Sequence, residues 1–495
     1  MKATSCSAWG FLILIAAAVR GIAAPPWTEE RGQVTDRSLQ TVTVPSAPAT
    51  LTLDQALQLG FANNAGFRSA IAALLKAQDD LRVARQLYAL TLTGSTGATH
   101  SGADGDVTRT DLEGALDYEM LSGASVSVSV LLDRLDSEES STLELVATQP
   151  LIRGAGRSSA RYEALRSKYS GYRSAILRYF LSRQDLGLDI IKSYFSVVLA
   201  QQQAAIQEQG LAQADRAVQD AEARLKEGMT TRIEVARARL SQASRRLGLT
   251  RAKQSYQDSL DVFLKTLGLQ VGTTPELTTK LAYSPVSLEV EALVSEALGN
   301  RAELAIEELA LQDAQAAVRL SRNRRSPALD LFGSSSSPFS GGNGETEWTV
   351  GIQTRVPINS RALDEAVRLA ERERLLAQRS QTEVKQSIAT QVRSRVHALE
   401  SQQATVQILE QSLEVAREKL RLADISVEEG VGLYRDKIEA QDEVTSAERD
   451  LIDAQIRHYF VVLDLRRAVG RNVLEGLPGE TQAVEPAAAQ VEPKS

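Results

Sequence analysis

Apolar residues recur along this chain with two different periods, and the switches between them lay out its architecture. Leu211, Ala214, Val218, Ala221 and Leu225 are spaced 3-4-3-4, with polar and charged residues between them. The spacing returns at Leu413, Ala416, Leu420, Ala423 and Val427, each at a constant offset of 202 residues. Sustained 3-4 spacing of small and aliphatic side chains is the seam of helices packed at a shallow left-handed angle. Both stretches run into a glycine, Gly228 and Gly430, and helical patterning resumes a few residues later. Two long helical hairpins with equivalent tips are therefore expected.

Leu51 to Leu87 carries Ala56, Leu59, Ala70, Leu74, Ala77, Leu81 and Ala84 at helical spacing, with Asp54 placed to cap its start. From Leu90 to Ala98 the period drops to two, the mark of a strand. After a Gly/Asp loop at 100–106, Leu112, Leu116, Tyr118 and Met120 share one face opposite Glu113, Asp117 and Glu119. A turn at Ser122 and Gly123 leads to Val126, Val128, Val130 and Leu132, which alternate with serines. An acidic loop at 133–140 then precedes another alternating run from Leu143 to Leu151.

Gln149 to Arg157, QPLIRGAGR, marks the change from strand to helix, and helical patterning follows to Glu227. At 1.5 Å per residue that is roughly 100 Å. Gly187 and Gly210 are expected points of local bending. Thr231 to Leu267 returns as a second helix, closed by Gly268 and Pro275.

The second half repeats this order. Asn300, Ala302, Leu304, Leu311, Ala314 and Val318 match Asn63, Ala65, Phe67, Leu74, Ala77 and Leu81 at an offset of 237. Ala328 to Ser337 reads as a strand, 341–344 as a glycine loop, and Trp348 to Val356 as another alternating strand. Pro357 to Arg361 takes the place of QPLIRGAGR, and helix follows to Glu429. Between the first helix and this proline the offset falls from 237 to 207. The first half thus holds extra residues equal to one hairpin, for which Thr110 to Leu132 is the candidate.

Composition and address narrow the possibilities. A net charge of -7 gives no basic signature, so nucleic acid is not an expected partner. Met1 to Ala24 reads as a secretory signal, with Lys2, an apolar run from Phe11 to Val19, and Ile22-Ala23-Ala24 before the cut. The single cysteine, Cys6, would leave with it, so neither disulfides nor thiolate metal sites are expected. An extended leader at 25–50, repeats at 51–275 and 288–470, and a disordered Ala/Pro/Glu-rich tail at 471–495 complete the division. Barrel strands are expected at 89–151 and 328–357, and the helical hairpins at 155–268 and 360–470.

No stretch after the signal is apolar enough for a membrane helix, so a membrane crossing would fall to strands. Strands of about ten residues, apolar on one side only, fit a barrel with lipid outside and water inside. A soluble antiparallel sheet with one wet face fits the alternation equally. Four to six strands cannot close a barrel, so several copies would share one. Catalysis finds no support. His100, His397 and His458 stand far apart, and the chain has no HExxH, no phosphate-binding glycine loop and no GxSxG. No catalytic, cofactor-binding or metal residue is assigned.

The segments LTLDQALQLGFANN, QPLIRGAGR, EGMTTRIEVARA and EGVGLYRDKIEAQ, in this order and with this duplication, resemble the TolC-like outer membrane efflux protein family from Leu51 to Gly470. The resemblance implies a mainly α protein with a membrane β-barrel part. The family forms homotrimers whose twelve-stranded outer-membrane barrel continues into a periplasmic α-helical barrel. Its partners are a periplasmic adaptor (membrane fusion) protein and an inner-membrane pump. An exit duct for small molecules or metals is expected on this basis. Type I protein secretion and a non-conducting periplasmic coiled-coil scaffold are the alternatives. Two features depart from the family. The extra hairpin would raise the shared barrel to as many as eighteen strands or project outward, and the strands offer few aromatics, Tyr88, Tyr118, Phe332 and Trp348, for interfacial girdles.

By the same resemblance Gly228, Thr230, Thr231, Gly430, Gly432 and Leu433 would meet the adaptor at the tips. Helix capping accounts for the glycines as well. Asp436 and Glu439, three apart on one helix face, match positions where some family members hold an acidic entrance ring. A solvated helix face is the plainer reading. The first tip has Glu234 and Arg237 at the equivalent places. Where the family uses an arginine to hold the closed state, this chain has Gly432, with Arg435 nearby.

Overall fold

A computed structural model describes residues 48–86, 91–101, 107–135, 138–228, 230–278, 289–338, 345–358, 360–429 and 434–474. The signal, most of the leader, the tail beyond 474, and tip residues Gly430, Gly432 and Leu433 lie outside the described residues.

A short strand β1 (Thr50–Leu51) precedes helices α1 (Leu53–Asn63) and α2 (Ala65–Gln86). The cap of α1 is Thr52, not Asp54: the Thr52 hydroxyl accepts from Gln55 N at 3.3 Å, and Gln55 Oε1 accepts from Thr52 N at 3.1 Å. That reciprocal pair satisfies two donors that the helix itself leaves free. Asp54 lies in the first turn, where its charge complements the helix dipole.

The expected single helix is broken at Asn64, whose Oδ1 accepts from Phe67 N at 2.9 Å while Nδ2 donates to the Thr266 carbonyl at 2.9 Å. The second repeat breaks likewise at Arg301, between α5 (Val290–Asn300) and α6 (Ala302–Arg325). Arg301 donates to the carbonyls of Arg467 and Ala468, each at 3.2 Å. Each break therefore receives the end of its own repeat's hairpin. Gly268 and Gly470, at φ 71° and 83°, end those hairpins in the left-handed conformation.

The hairpins are α3 (Ala160–Lys226) with α4 (Arg232–Leu267), and α7 (Arg361–Glu428) with α8 (Tyr434–Val469). Helix α3 runs unbroken through Gly187 and Gly210. Neither glycine interrupts it; each admits a neighbour. A β-carbon on Gly187 would lie 2.6 Å from Leu474 Cδ2, and one on Gly210 would lie 3.2 Å from the Arg245 guanidinium.

Strands β2 (Thr91–Ser101), β3 (Val107–Glu119), β4 (Ser125–Leu135), β5 (Glu138–Pro150), β7 (Ala328–Pro338) and β8 (Glu347–Arg355) form one antiparallel sheet in the order β2-β3-β4-β5-β7-β8. The extra hairpin is β3–β4, and it lies inside the sheet between β2 and β5. The segment expected to be an acidic loop is mostly strand, since Asp133 pairs with Ser140 and Leu135 with Glu138. Backbone pairing carries the strands past the point where apolar alternation stops. A parallel bridge joins β1 to β6 (Glu276–Leu277), tying the start of the first repeat to its end.

The main core gathers where α1, α3, α4 and α8 meet, with Leu53, Ile190, Tyr194, Phe195, Phe263, Leu264, Leu267 and Leu463 all buried. Tyr194 packs edge-on against Phe195 and Phe263 at 5.4 and 5.8 Å and donates to the Leu51 carbonyl at 3.3 Å. Two ion pairs link the repeats here, Lys192 with Asp464 at 2.6 Å and Arg467 with Asp185 at 2.7 Å, and Arg467 also pairs within its own repeat with Glu303 at 3.0 Å. Towards the tips the core thins to small-residue seams, Val218, Ala221, Val235 and Ala238 in one hairpin and Leu413, Ala416 and Ala447 in the other.

Candidate functional site

Continuous register places alternate residues of all six strands on common faces. One row across the sheet reads Leu92, Leu116, Val128, Leu145, Ser335, Trp348. The next row on the same face reads Tyr118, Val126, Ala147, Gly333, Val350. Rows on the opposite face read Thr93, Ala115, Ser129, Glu144, Ser336, Glu347 and Thr91, Asp117, Ser127, Val146, Ser334, Thr349. The polar face thus carries carboxylates from both repeats, Glu113, Asp117, Glu144, Asp330 and Glu347 among them, with Arg355 at one end.

The apolar face is bare. Leu92, Trp348 and Ile352 are 75%, 73% and 66% exposed, and Leu112, Leu132 and Val350 are exposed with them. A soluble antiparallel sheet covers one face with its core. An apolar surface this continuous marks contact with a membrane or partner. Among the described residues no helix is long and apolar enough to cross a membrane.

The strands hand over to the helices at a tightly bonded turn. The Ser159 hydroxyl accepts from Tyr162 N at 3.0 Å, capping α3, and donates to the Leu121 carbonyl at 2.7 Å. Asn323 joins the two repeats here, its Oδ1 accepting from Gly154 N at 2.8 Å and its Nδ2 donating to the Ile152 carbonyl at 3.0 Å.

At the first tip, Gly228 has φ 75° and its N–H reaches the Leu225 carbonyl at 3.1 Å. Thr231 caps α4, its hydroxyl accepting from Glu234 N at 3.4 Å. Thr230 lies between them, half-buried. At the second tip, Asp436 and Glu439 are exposed, and Arg435 lies 3.4 Å from the first and 3.6 Å from the second. The acidic pair therefore carries a cation beside it. Glu234 and Arg237 of the first tip pair with each other at 2.8 Å.

One contact was not foreseen from the sequence. Arg245 of α4 donates to Asp442 of α8, linking the two hairpins near their tips. The signal was a break in the repeat: at the 202-residue offset, Asp442 corresponds to Leu240 and Arg245 to Ala447. Of the histidines, His397 is exposed near Glu400, at 3.5 Å, and His458 is buried in the helical body. The side chain of His100 lies outside the described residues. No group of three or more potential metal ligands occurs among the described residues.

The profile of the family described as outer membrane efflux protein matches residues 62–269 and 293–471, well over half of the chain. The chain belongs to that family. Its members are outer-membrane channels that extend into the periplasm, not enzymes. The pyoverdine export outer membrane protein OpmQ of Pseudomonas putida is 30% identical over 218 residues, 42% of this chain and 45% of the relative. The cobalt-zinc-cadmium resistance protein CzcC of Cupriavidus metallidurans is 26% identical over 289 residues, 57% of this chain and 65% of the relative. The aligned regions thus span between about half and two thirds of these relatives.

Solved structures share the fold. The outer membrane protein VceC of Vibrio cholerae superposes with a TM-score of 0.66 at 18% identity, covering 85% of this chain and 96% of that one. CusC gives 0.67 at 16% identity, covering 90% and 99%. The CmeC outer membrane channel of Campylobacter jejuni gives 0.66 at 14% identity, covering 90% and 94%.

Proposed function

We propose that this efflux protein is one protomer of a homotrimeric exit duct, through which a tripartite pump passes small molecules or metal ions across the periplasm and outer membrane. The observation that carries the reading is a sheet with one bare apolar face and one acidic face, continuing directly into two long helical hairpins. Lipid contacts the first face and water the second. At ~1.5 Å per residue the longer helices reach about 100 Å into the periplasm. Transport is passive here, and energy comes from an inner-membrane pump coupled through a periplasmic adaptor that meets the helical tips. Small cargo is favoured over polypeptides because one relative is named for pyoverdine export and the other for cobalt, zinc and cadmium resistance.

Single-channel recording of the detergent-purified protein in a planar bilayer tests this. Discrete conductance steps are expected. A water-soluble oligomer that refuses to insert would leave a periplasmic scaffold as the better reading.

A further inference from the structure

The sheet ends on two open edges. Among the described residues β2 pairs only with β3, and β8 only with β7, so each leaves a row of backbone N–H and C=O groups unpaired. Such edges are not tolerated in hydrocarbon. Six strands fall short of the ~eight that close the smallest barrels, so the chain cannot heal its own edges.

The two edges suit each other. Every neighbouring pair in the sheet is antiparallel, so β2 and β8, five steps apart, run in opposite directions. Setting β8 of one copy beside β2 of the next prolongs the same antiparallel ladder. The faces also agree, because Leu92 on β2 and Trp348 and Ile352 on β8 belong to the one apolar face. These are its most exposed large side chains, each bared on the side where a neighbouring strand is missing.

We infer that each copy joins its β8 edge to the β2 edge of the next, and that the ring takes in all six strands of every copy, including the β3–β4 hairpin. In the trimer proposed above, on which this rests, the wall has eighteen strands.

Two observations keep the hairpin in the wall. Its apolar residues Leu112, Leu116, Val128 and Val130 continue the rows of β2 and β5 without a change of face. Leaving the wall would strip two complete ladders and turn those side chains into water. Its connecting turn is also fixed to the strand-to-helix junction: Gly156 N donates to the Ser122 carbonyl at 2.9 Å, and Ser159 Oγ to the Leu121 carbonyl at 2.7 Å.

The widths of the two halves agree as well. Six strands ~4.8 Å apart and tilted ~40° occupy about 38 Å of circumference. Four helices side by side at ~8–10 Å occupy about 32–40 Å. Because barrel diameter grows almost linearly with strand number, eighteen strands make a ring roughly 1.5 times as wide as twelve.

Cryo-electron microscopy of the full chain extracted in detergent counts the strands directly. Eighteen are expected; twelve, with residues 107–135 outside the wall, would overturn the inference and leave the duct standing. Cysteine pairs give a second reading in native membranes. Oxidation of Leu92→Cys with Leu116→Cys, and of Val128→Cys with Leu145→Cys, is expected to form intrachain disulfides in the assembled oligomer. Folded oligomers in which neither pair closes would also refute the eighteen-strand wall. An oligomer that never enters a membrane would remove both this wall and the duct reading.

Discussion

Arg245 of the first hairpin donates to Asp442 of the second, and it is the side chain that Gly210 makes room for. The arginine is largely buried, at 15% exposure, while the aspartate stands half in solvent at 53%. The pair therefore joins the two hairpins at a level where each is held internally by a thin small-residue seam. With one partner exposed, its coupling is expected to be about 1 kcal/mol, enough to bias a hinge but not to hold the fold. Arg245→Gln and Asp442→Asn should each raise resting single-channel conductance, and the exchanged pair Arg245→Asp with Asp442→Arg should restore it. If both single variants conduct like the parent, the contact does not restrain the tips.

The acidic pair at the second tip has a cation within reach of both carboxylates. Arg435 lies within ion-pair distance of Asp436 and Glu439, so part of the field of that acidic pair is cancelled. Replacing Arg435 by Gln should increase cation preference, read as a shift of reversal potential in a salt gradient. Asp436→Asn with Glu439→Gln should reduce it. Both effects should fade at high ionic strength, because the groups are exposed and screened. A reversal potential indifferent to all three substitutions would place the selective region elsewhere.

Thr230 and Thr231 are adjacent, yet only Thr231 accepts from the first turn of α4. Thr231→Ala should fray that turn at a cost of about 1 kcal/mol, visible as faster amide exchange over residues 232–235. Thr230→Ala should leave exchange unchanged, so any loss of adaptor binding in that variant reports contact. Equal exchange in both variants would mean that Thr231 is not acting as the cap.

The long elements were legible because their patterns are dense. Ala214, Val218, Ala221, Leu413, Ala416 and Val427 from the opening seams are all buried, as a 3-4 spacing maintained over many turns requires of helices packed side by side. The sheet faces were legible for the same reason, since a period of two survives in serine-rich strands. The breaks at Asn64 and Arg301 were not, because each interrupts a continuous apolar rhythm through hydrogen bonds to a hairpin end about two hundred residues away in the first case. Gly187 and Gly210 were expected to bend α3. Sequence does not show whether a helical glycine relieves strain or admits a neighbour, and here Leu474 and Arg245 occupy the space. Strand ends at 133–135 and 138–140 were hidden because backbone pairing needs no apolar alternation.

The end of the first hairpin gives a stability test with an internal control nearby. Gly268 has φ 71°, and a β-carbon there would lie 2.6 Å from the Asn63 carbonyl oxygen. Gly272 has φ 97° but open space around it. Alanine at Gly272 should cost about 1–2 kcal/mol from backbone strain alone, and at Gly268 about 2–4 kcal/mol because backbone atoms must also move. Unfolding temperatures of the two variants in detergent would separate these costs. Equal losses would show that the close approach at Asn63 relaxes freely.

His458 is the buried histidine of the helical body, at 3% exposure. Burial disfavours its charged form and lowers its pKa below the ordinary 6.5. In the folded chain it therefore stays neutral at a pH where the unfolded chain has begun to protonate. The folded state then binds fewer protons, so stability is complete above about 6.5 and falls as pH drops towards the lowered folded-state value. Unfolding temperature should accordingly be level near pH 8 and decline below about 6.5, before the carboxylates begin to titrate near 4. His458→Gln should abolish the early decline while keeping the later, carboxylate-driven loss. If the variant and the parent trace the same curve between about pH 5 and 7, protonation of His458 is not what weakens the body.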